Sequence, residues 1–113
     1  MRLLVCGGRD YGDRVAIMSA LKELEPECVI TGGATGADAI ADKAAESLGI
    51  ARVVFPANWK GDGKAAGPIR NSRMLKEGRP DLVLACPGGR GTADMIAKAR
   101  RAEVPVREIN PII

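Results

Sequence analysis

One glycine-rich loop of the sequence has the residue types of an anion-binding site. The stretch 87–94, PGGRGTAD, carries three glycines in four positions, then a threonine and an aspartate where a helix would open. Such a loop lets a ligand approach the main chain, and the helix behind it offers unpaired N–H groups and the positive end of its dipole. The pattern favours phosphate, with a tight strand-to-helix turn as the alternative. Its candidate binding residues are Pro87, Gly88, Gly89, Gly91, Thr92 and Asp94.

Two further glycine loops follow apolar runs nearer the amino terminus, GGRDYG at 7–12 and GGATGAD at 32–38. No loop matches the GxxxxGKS/T pattern, and GGRDYG also fails the GxGxxG fingerprint, so triphosphate hydrolysis with a P-loop lysine is disfavoured. Main-chain N–H groups and threonine hydroxyls still suit phosphate or ribose. The candidates in these two loops are Gly7, Gly8, Arg9, Asp10, Gly32, Gly33, Thr35, Gly36 and Asp38.

Charged side chains in these loops leave two interpretations open. Arg9 is placed either to grip a phosphate as a planar fork or to form a surface ion pair with Asp10 or Asp38. Asp38 and Asp94 fall in the first turns of predicted helices, where a carboxylate is favoured by the dipole; hydrogen bonding to ribose hydroxyls is the functional alternative. Asp94, Arg70 and Asp38 are the candidate catalytic residues, and none of them is assigned a catalytic role.

A later segment adds two arginines and the single tryptophan. Arg70 and Arg73 lie three residues apart on one face of a predicted helix, with Asn71 beside them, which suits phosphate contact or a solvated surface. Trp59 lies in an irregular stretch, where it either stacks on a base or fills the core beneath a loop. Lys60 and Lys64 in the same stretch are predicted to be mobile surface charges, with phosphate contact as the alternative.

Alternating strands and helices must position these residues. Apolar runs and breakers predict strands at Arg2–Cys6, Cys28–Thr31, Ala51–Phe55, Asp81–Cys86 and Val104–Ile109, and helices at 13–24, 36–48, 69–77 and 92–102, with 57–68 irregular. This alternation predicts a parallel sheet covered on both faces. All three glycine loops then lie at the carboxyl edge of the sheet, where ligands bind in such folds.

Length and composition limit the function classes. The sequence predicts one domain over 1–113, and a net charge of +3 only weakly favours an anionic partner. The absence of histidine excludes Ser-His-Asp and Cys-His catalysis. Three cysteines without metal-ligand spacing predict buried thiols, no metal site and a cytoplasmic location. No apolar stretch approaches the ~20 residues that span a bilayer, so no membrane partner is expected.

Four motifs in the same order resemble the SLOG superfamily, and most closely its small, single-domain YspA-like branch. They are GGRDY at 7–11, GGATGAD at 32–38, Trp59 followed by GKAAGPIRN at 63–71 and Met74, and PGGRGTADM at 87–95. The superfamily includes the DNA-processing protein DprA (Smf) and the Lonely Guy phosphoribohydrolases. The resemblance covers almost the whole chain. It implies an α/β fold, a Rossmann-like three-layer sandwich with a mostly parallel five-stranded sheet and helices on both faces.

The resemblance also implies a nucleotide or nucleotide-derived ligand of the NAD, ADP-ribose or nucleoside-phosphate type, bound by a sensing or sequestering module. The phosphoribohydrolase branch has PGGxGTxxE, whose glutamate helps to cleave the N-glycosidic bond together with an arginine. Met95 occupies the glutamate position here, Asp94 points about 100° away on a helix, and Arg70 or Arg73 would stand in for the arginine. An N-glycosidase acting on nucleoside phosphates is therefore the alternative to binding alone.

Two expectations concern macromolecular partners. Relatives commonly dimerise, so a homo-oligomer is expected. Single-stranded nucleic-acid binding, as in the DNA-processing relatives, is a further alternative, and the composition argues against it. No basic stripe is visible, and only Trp59 and Tyr11 are available to stack on bases.

Overall fold

The helix and strand bounds follow the apolar runs and breakers of the sequence. The computed structural model describes residues 1–109. Its strands are β1 Arg2–Cys6, β2 Cys28–Thr31, β3 Ala51–Val54, β4 Leu82–Ala85 and β5 Val106–Glu108, and its helices are α1 Arg14–Leu24, α2 Ala37–Ser47, α3 Trp59–Asp62, α4 Ala66–Gly78 and α5 Arg90–Arg101, with a 3₁₀ turn Gly63–Ala65 between α3 and α4. None of the helices in this range combines the length and the apolar character needed to cross a bilayer.

The five strands form one parallel sheet in the order β3-β2-β1-β4-β5. β1 is central, with Leu3 opposite Val29 of β2 on one side and Leu82 of β4 on the other. The chain winds outward from β1 to β3 and then crosses back to β4, so the strand order reverses beside β1. In doubly wound sheets the carboxyl ends of the strands at such a reversal open a crevice for ligands. The topology therefore places a crevice above β1 and β4.

Alternate residues of the strands face two separate apolar layers. Leu3 and Val5 of β1 pack among residues of α1 and α2. Leu4 of β1 packs on the opposite face, against Met74 of α4 and Met95 of α5. Each strand thus buries side chains on both faces, which explains the near-continuous apolar runs. The predicted α/β class, with a five-stranded parallel sheet and helices on both faces, is confirmed.

Three predicted segments differ from the structure. β5 is Val106–Glu108 and therefore shorter than the predicted Val104–Ile109. α5 begins at Arg90, two residues before the predicted start at Thr92, so part of the glycine loop is already helical. The stretch 57–68, predicted to be irregular, contains α3, the 3₁₀ turn and the start of α4. Asn58 makes this possible, because its side-chain oxygen accepts a hydrogen bond from the Gly61 N–H and caps α3.

The three cysteines are buried and unpaired, which confirms the prediction of buried thiols. Burial raises the pKa of Cys6 to about 12, and it raises the pKa of Cys86 to about 11. Both pKa values place the thiols in the neutral form at physiological pH, so neither is an activated nucleophile.

Candidate functional site

The three glycine loops meet at the carboxyl edge of the sheet. The Gly8 N–H donates to the Pro87 carbonyl oxygen at 2.9 Å, which joins the loops after β1 and β4. The Gly8 carbonyl oxygen in turn accepts from the Ala37 N–H at 3.2 Å, at the start of α2. Main chain therefore packs directly on main chain at the ends of β1, β2 and β4.

This close packing requires glycine at two positions. A Cβ on Gly7 would lie 2.7 Å from the Cβ atoms of both Ala37 and Cys86, well inside contact distance. Gly36 has a φ of +73°, and a Cβ there would collide with the Gly8 carbonyl oxygen. Gly36, predicted as a binding residue, thus serves the junction between the loops.

A cleft of about 540 Å³ lies above this junction, within the size range of small-molecule sites. Its walls are the loop after β1, the first turn of α5, the start of α4 and the α3 segment. The predicted site residues that line it are Gly7, Gly8, Arg9, Asp38, Trp59, Arg70, Asn71, Gly89, Gly91, Thr92 and Asp94.

The first turn of α5 presents hydrogen-bond donors to this cleft. Within residues 1–109, the main-chain N–H groups of Arg90, Gly91 and Thr92 have no acceptor; the hydrogen bonds of the helix start at the Ala93 N–H, which donates to the Gly89 carbonyl oxygen. The Thr92 side chain is only 8% exposed, and its hydroxyl likewise has no partner among these residues. N–H donors at the positive end of a helix of 12 residues suit a phosphate group.

Asp38 holds the loop after β2 together. Its carboxylate accepts hydrogen bonds from the Gly32 N–H at 3.1 Å and the Ala34 N–H at 3.2 Å, and the side chain is only 7% exposed. Burial raises the pKa of Asp38, while these two N–H groups and the nearby Arg70 guanidinium act in the opposite direction. Two of the loop N–H groups that the sequence offers to a ligand are therefore already occupied by this carboxylate.

A chain of hydrogen bonds from α4 fixes the loops on either side of the cleft. Arg70 donates to the Gly32 carbonyl oxygen at 2.7 Å and to the Asn71 side-chain oxygen at 3.1 Å. The Asn71 side-chain nitrogen donates to the Gly91 carbonyl oxygen at 3.1 Å and to the Asp94 carboxylate at 3.0 Å. Because Asn71 is only 4% exposed, it is a buried bridge between α4 and the first turns of α5.

Asp94 is engaged a second time, by Lys98 one turn further along α5. The Lys98 ammonium lies 3.0 Å from the Asp94 carboxylate and donates to the Pro68 carbonyl oxygen at 2.7 Å. Burial lowers the pKa of Arg70, while the nearby Asp38 carboxylate acts in the opposite direction. Both carboxylates that line the cleft are thus hydrogen-bonded within the protein.

Trp59 and Arg9 form the outer edge of the cleft. The Arg9 guanidinium lies over the indole ring, 5.3 Å from its centroid, and Trp59 remains 50% exposed. Neither of the ion pairs considered for Arg9, with Asp10 or with Asp38, is formed. Trp59 does not fill the core beneath a loop, which leaves its ring available for stacking.

A smaller cavity of about 310 Å³ adjoins the cleft, and Arg9, Ala34, Trp59 and Arg70 line both. The predicted residues Gly32, Gly33 and Thr35 line this smaller cavity.

Five predicted residues line neither cavity, and Gly36 at the junction of the loops is one of them. Pro87 and Gly88 border a separate depression beside α5. Asp10 is exposed in the turn after β1. Arg73 turns away from the cleft, because its guanidinium pairs with Glu77 and lies over the Phe55 ring.

Several lining residues were not predicted as site residues. Lys64, expected to be a mobile surface charge, lines the cleft, as do Arg90, Cys6 and Met74. Arg90 lies between two glycines of the loop, and this position in the sequence could have indicated that it lines the cleft. Met95, at the position of the family glutamate, is fully buried between α5 and the sheet and does not line the cleft.

Comparisons with known proteins agree with this architecture. A family model described as YAcAr, the YspA, cpYpsA-related SLOG family, matches residues 1–61. The chain is 38% identical over 117 residues to the Gene 61 protein of Mycobacterium phage D29, covering 93% of each protein. DNA processing protein A (DprA) from Streptococcus pneumoniae has the same fold, with a TM-score of 0.83, 18% identity and coverage of 99% of this chain. This chain spans 51% of that DprA chain. The chain belongs to the YspA- and cpYpsA-related SLOG family, as the motifs predicted.

Proposed function

We propose that this member of the SLOG family binds a phosphorylated nucleoside in the cleft, as a sensing or sequestering module, without cleaving it. The phosphate lies at the first turn of α5 and the base lies against Trp59. The observation that carries the proposal is the set of donors in that turn. Three N–H groups of residues that line the cleft, and the hydroxyl of Thr92, have no hydrogen-bond partner in residues 1–109.

Basic side chains around these donors support the same ligand. Lys64 and Arg90 line the cleft, and neither forms an ion pair with a carboxylate of residues 1–109. A phosphate at the first turn of α5 would therefore be met by main-chain donors, by the helix dipole and by mobile cations. Binding of a phosphate by these interactions needs no general acid or general base.

The engagement of both cleft carboxylates argues against the N-glycosidase alternative. Asp38 binds two main-chain N–H groups, and Asp94 binds Asn71 and Lys98. A general acid or base must reach the group whose proton it moves, and each carboxylate already binds two protein donors through its Oδ2 atom. We expect no release of adenine or nicotinamide when the protein is incubated with AMP, NAD or ADP-ribose and the mixture is separated chromatographically. Release that Asp94→Asn abolishes would establish an enzyme.

The binding proposal is tested by thermal unfolding with a panel of nucleotides. A ligand at a hundred times its dissociation constant stabilises the folded protein by roughly 2.7 kcal/mol. Thr92→Val removes the hydroxyl and keeps the shape, and no hydrogen bond within residues 1–109 is lost with it. We expect this variant to keep its stability and to bind AMP about tenfold more weakly, the scale of one hydrogen bond to a charged group. Ser47→Ala, on the far side of α2, is the control and should bind like the wild type.

One observation favours nucleic acid as a second candidate. The Streptococcus pneumoniae protein with the same fold is a DNA processing protein, and the charges of this chain are unevenly spread. Residues 57–101 contain ten lysines and arginines but only four acidic residues. Against it, Tyr11 packs on the core between the sheet, α1 and α2, which leaves Trp59 to stack. Binding of a labelled single-stranded oligonucleotide that weakens steeply with salt would support this candidate.

Self-association stays a prediction. The resemblance to dimeric relatives motivates it, and a homo-oligomer is the expected state. Light scattering behind a size-exclusion column tests it, because a monomer has a mass of 11.9 kDa.

A further inference from the structure

The strap, residues 58–65, borders both cavities and has few contacts with the rest of the protein. Each of its residues is exposed, and neither α3 nor the 3₁₀ turn within it has a buried side chain. A helix of four residues such as α3 is not stable by itself, because short helices depend on the surface against which they pack. The strap therefore needs contacts with other elements to keep its position.

The hydrogen bonds of the strap do not supply such contacts. The Asn58 side-chain oxygen accepts from the Gly61 N–H, and the Asn58 carbonyl oxygen accepts from the Asp62 N–H. Within residues 1–109, no hydrogen bond or ion pair joins the strap to the sheet, to the glycine loops or to α5. Few buried groups and exposed main-chain hydrogen bonds are typical of a segment that opens locally.

The Trp59 side chain links the strap to a distant part of the chain. Its ring lies against the start of α4, where a Cβ on Gly67 would be 3.5 Å from the ring, and the Arg9 guanidinium lies 5.3 Å from the ring centroid. Arg9 belongs to the loop after β1, whose main chain is held by the bond from the Gly8 N–H to the Pro87 carbonyl oxygen. The contact between Arg9 and Trp59 thus joins a weakly attached segment to a fixed loop.

This contact lies in the wall that the cleft and the smaller cavity share. Trp59 and Lys64 of the strap line the cleft, and Trp59 lines the smaller cavity as well. Arg9 also lines both cavities. A movement of the strap away from Arg9 would therefore widen both cavities on the same side.

We propose that the strap is a lid of the cleft and that the stacking of Arg9 on Trp59 is the latch that holds it. Arg9 is then a positioning residue, which fixes Trp59 and leaves phosphate binding to the first turn of α5. When the latch opens, the strap moves away from the loop after β1 and the cleft becomes accessible from that side. The lid does not depend on which ligand occupies the cleft.

Cleavage by a lysine-specific protease measures how often the strap opens, because native chains are cut where they open locally. The strap carries Lys60 and Lys64, whereas the other four lysines of the chain lie within α1, α2, α4 and α5. We expect the first cuts in the native protein to follow Lys60 and Lys64, as identified by mass spectrometry of the fragments. First cuts at the helical lysines would refute the lid.

Two variants and their combination test the latch. Arg9→Gln removes the cation and should raise the cleavage rate at Lys60 and Lys64 by roughly 2- to 5-fold, the scale of one exposed cation–π contact. Trp59→Leu removes the ring, and in that background Arg9→Gln should have no further effect, because both side chains act through one contact. Arg14→Gln, at the groove between α1 and α2, is the matched control and should be cut like the wild type.

A second measurement separates local opening from a loss of global stability. The urea midpoint of Arg9→Gln should equal that of the wild type, and cleavage at the helical lysines should not change. An effect of Arg9→Gln that is equal with and without Trp59, or no effect in either background, would refute the latch.

Closure of the strap over a bound nucleotide rests on the proposed function and is measured separately. AMP at a concentration that saturates the thermal shift should slow cleavage at Lys60 and Lys64 at least about fivefold, the lower end for one base stacked on an aromatic ring. AMP that raises the melting temperature without slowing this cleavage would refute the lid. If AMP does not bind, the proposed function is wrong, and the cleavage of Arg9→Gln without nucleotide still decides the latch.

Discussion

Replacing Asn71 should destabilise the protein far more than replacing its exposed neighbours. Asn71 is 4% exposed and takes part in three hydrogen bonds, with Arg70, the Gly91 carbonyl oxygen and Asp94. Hydrogen bonds to charged groups contribute about 1.5–3 kcal/mol and neutral ones about 1 kcal/mol. Because Arg70 and Asp94 are partly exposed and recover some hydration, we expect Asn71→Ala to cost about 2–4 kcal/mol rather than the full sum.

Urea unfolding followed by circular dichroism measures this loss. Ser72→Ala is the matched control on the same helix, since its hydroxyl is exposed and bonds only the Pro68 carbonyl oxygen at 3.2 Å. It should stay within ~0.5 kcal/mol of the wild type, as surface substitutions do. Asn71→Asp places a second carboxylate against Asp94, so its loss should be larger at pH 7 than at pH 3. A stability of Asn71→Ala equal to that of Ser72→Ala would refute the bridging role.

Three further predictions follow from the packing of the site. Gly7→Ala forces a Cβ between two others at 2.7 Å and should cost about 1–3 kcal/mol in urea unfolding, whereas Gly12→Ala, with open space, should be neutral. Burial raises the pKa of Asp38, so the folded state holds that proton to higher pH than the unfolded state. The contribution of Asp38 to the free energy of unfolding therefore falls as the pH rises from about 3.9 through the raised pKa of the folded state. Asp38→Asn should remove this pH dependence. A variant whose stability depends on pH as that of the wild type does would contradict the prediction. Cys6 and Cys86, with pKa values of about 12 and 11, should react with a thiol reagent at pH 8 only as fast as the protein unfolds.

The sequence predicts the strands best where an apolar run stops at a glycine loop. β1 and β2 have the predicted bounds, and Asp13 caps α1 by accepting a hydrogen bond from the Ala16 N–H. The start of α5 was missed because Gly91 lowers the helix propensity of the first turn. Here the packing of the loops after β1 and β4 fixes the main chain, so the helix begins at Arg90 inside the glycine loop.

Side-chain roles were less predictable than side-chain positions. Asp38 was placed correctly beside the loops, yet its bonds to the Gly32 and Ala34 N–H groups depend on how the loop folds back. Arg70 and Arg73 are three residues apart on one helix, but only Arg70 lines the cleft. The Arg73 guanidinium instead lies over the ring of Phe55, the residue that follows β3. Residue type and spacing therefore predicted which loops border the cleft, while tertiary contacts decide which of their polar groups already have a partner within the protein.

The most direct test of the account is a titration of the ¹⁵N-labelled protein with AMP, followed by the chemical shifts of the main-chain amides. The account predicts that the largest saturable changes fall on Arg90, Gly91 and Thr92, with the indole N–H of Trp59 shifting alongside them. Changes centred on the groove between α1 and α2, or no saturable change at millimolar AMP, would contradict the claim that the first turn of α5 binds a phosphate.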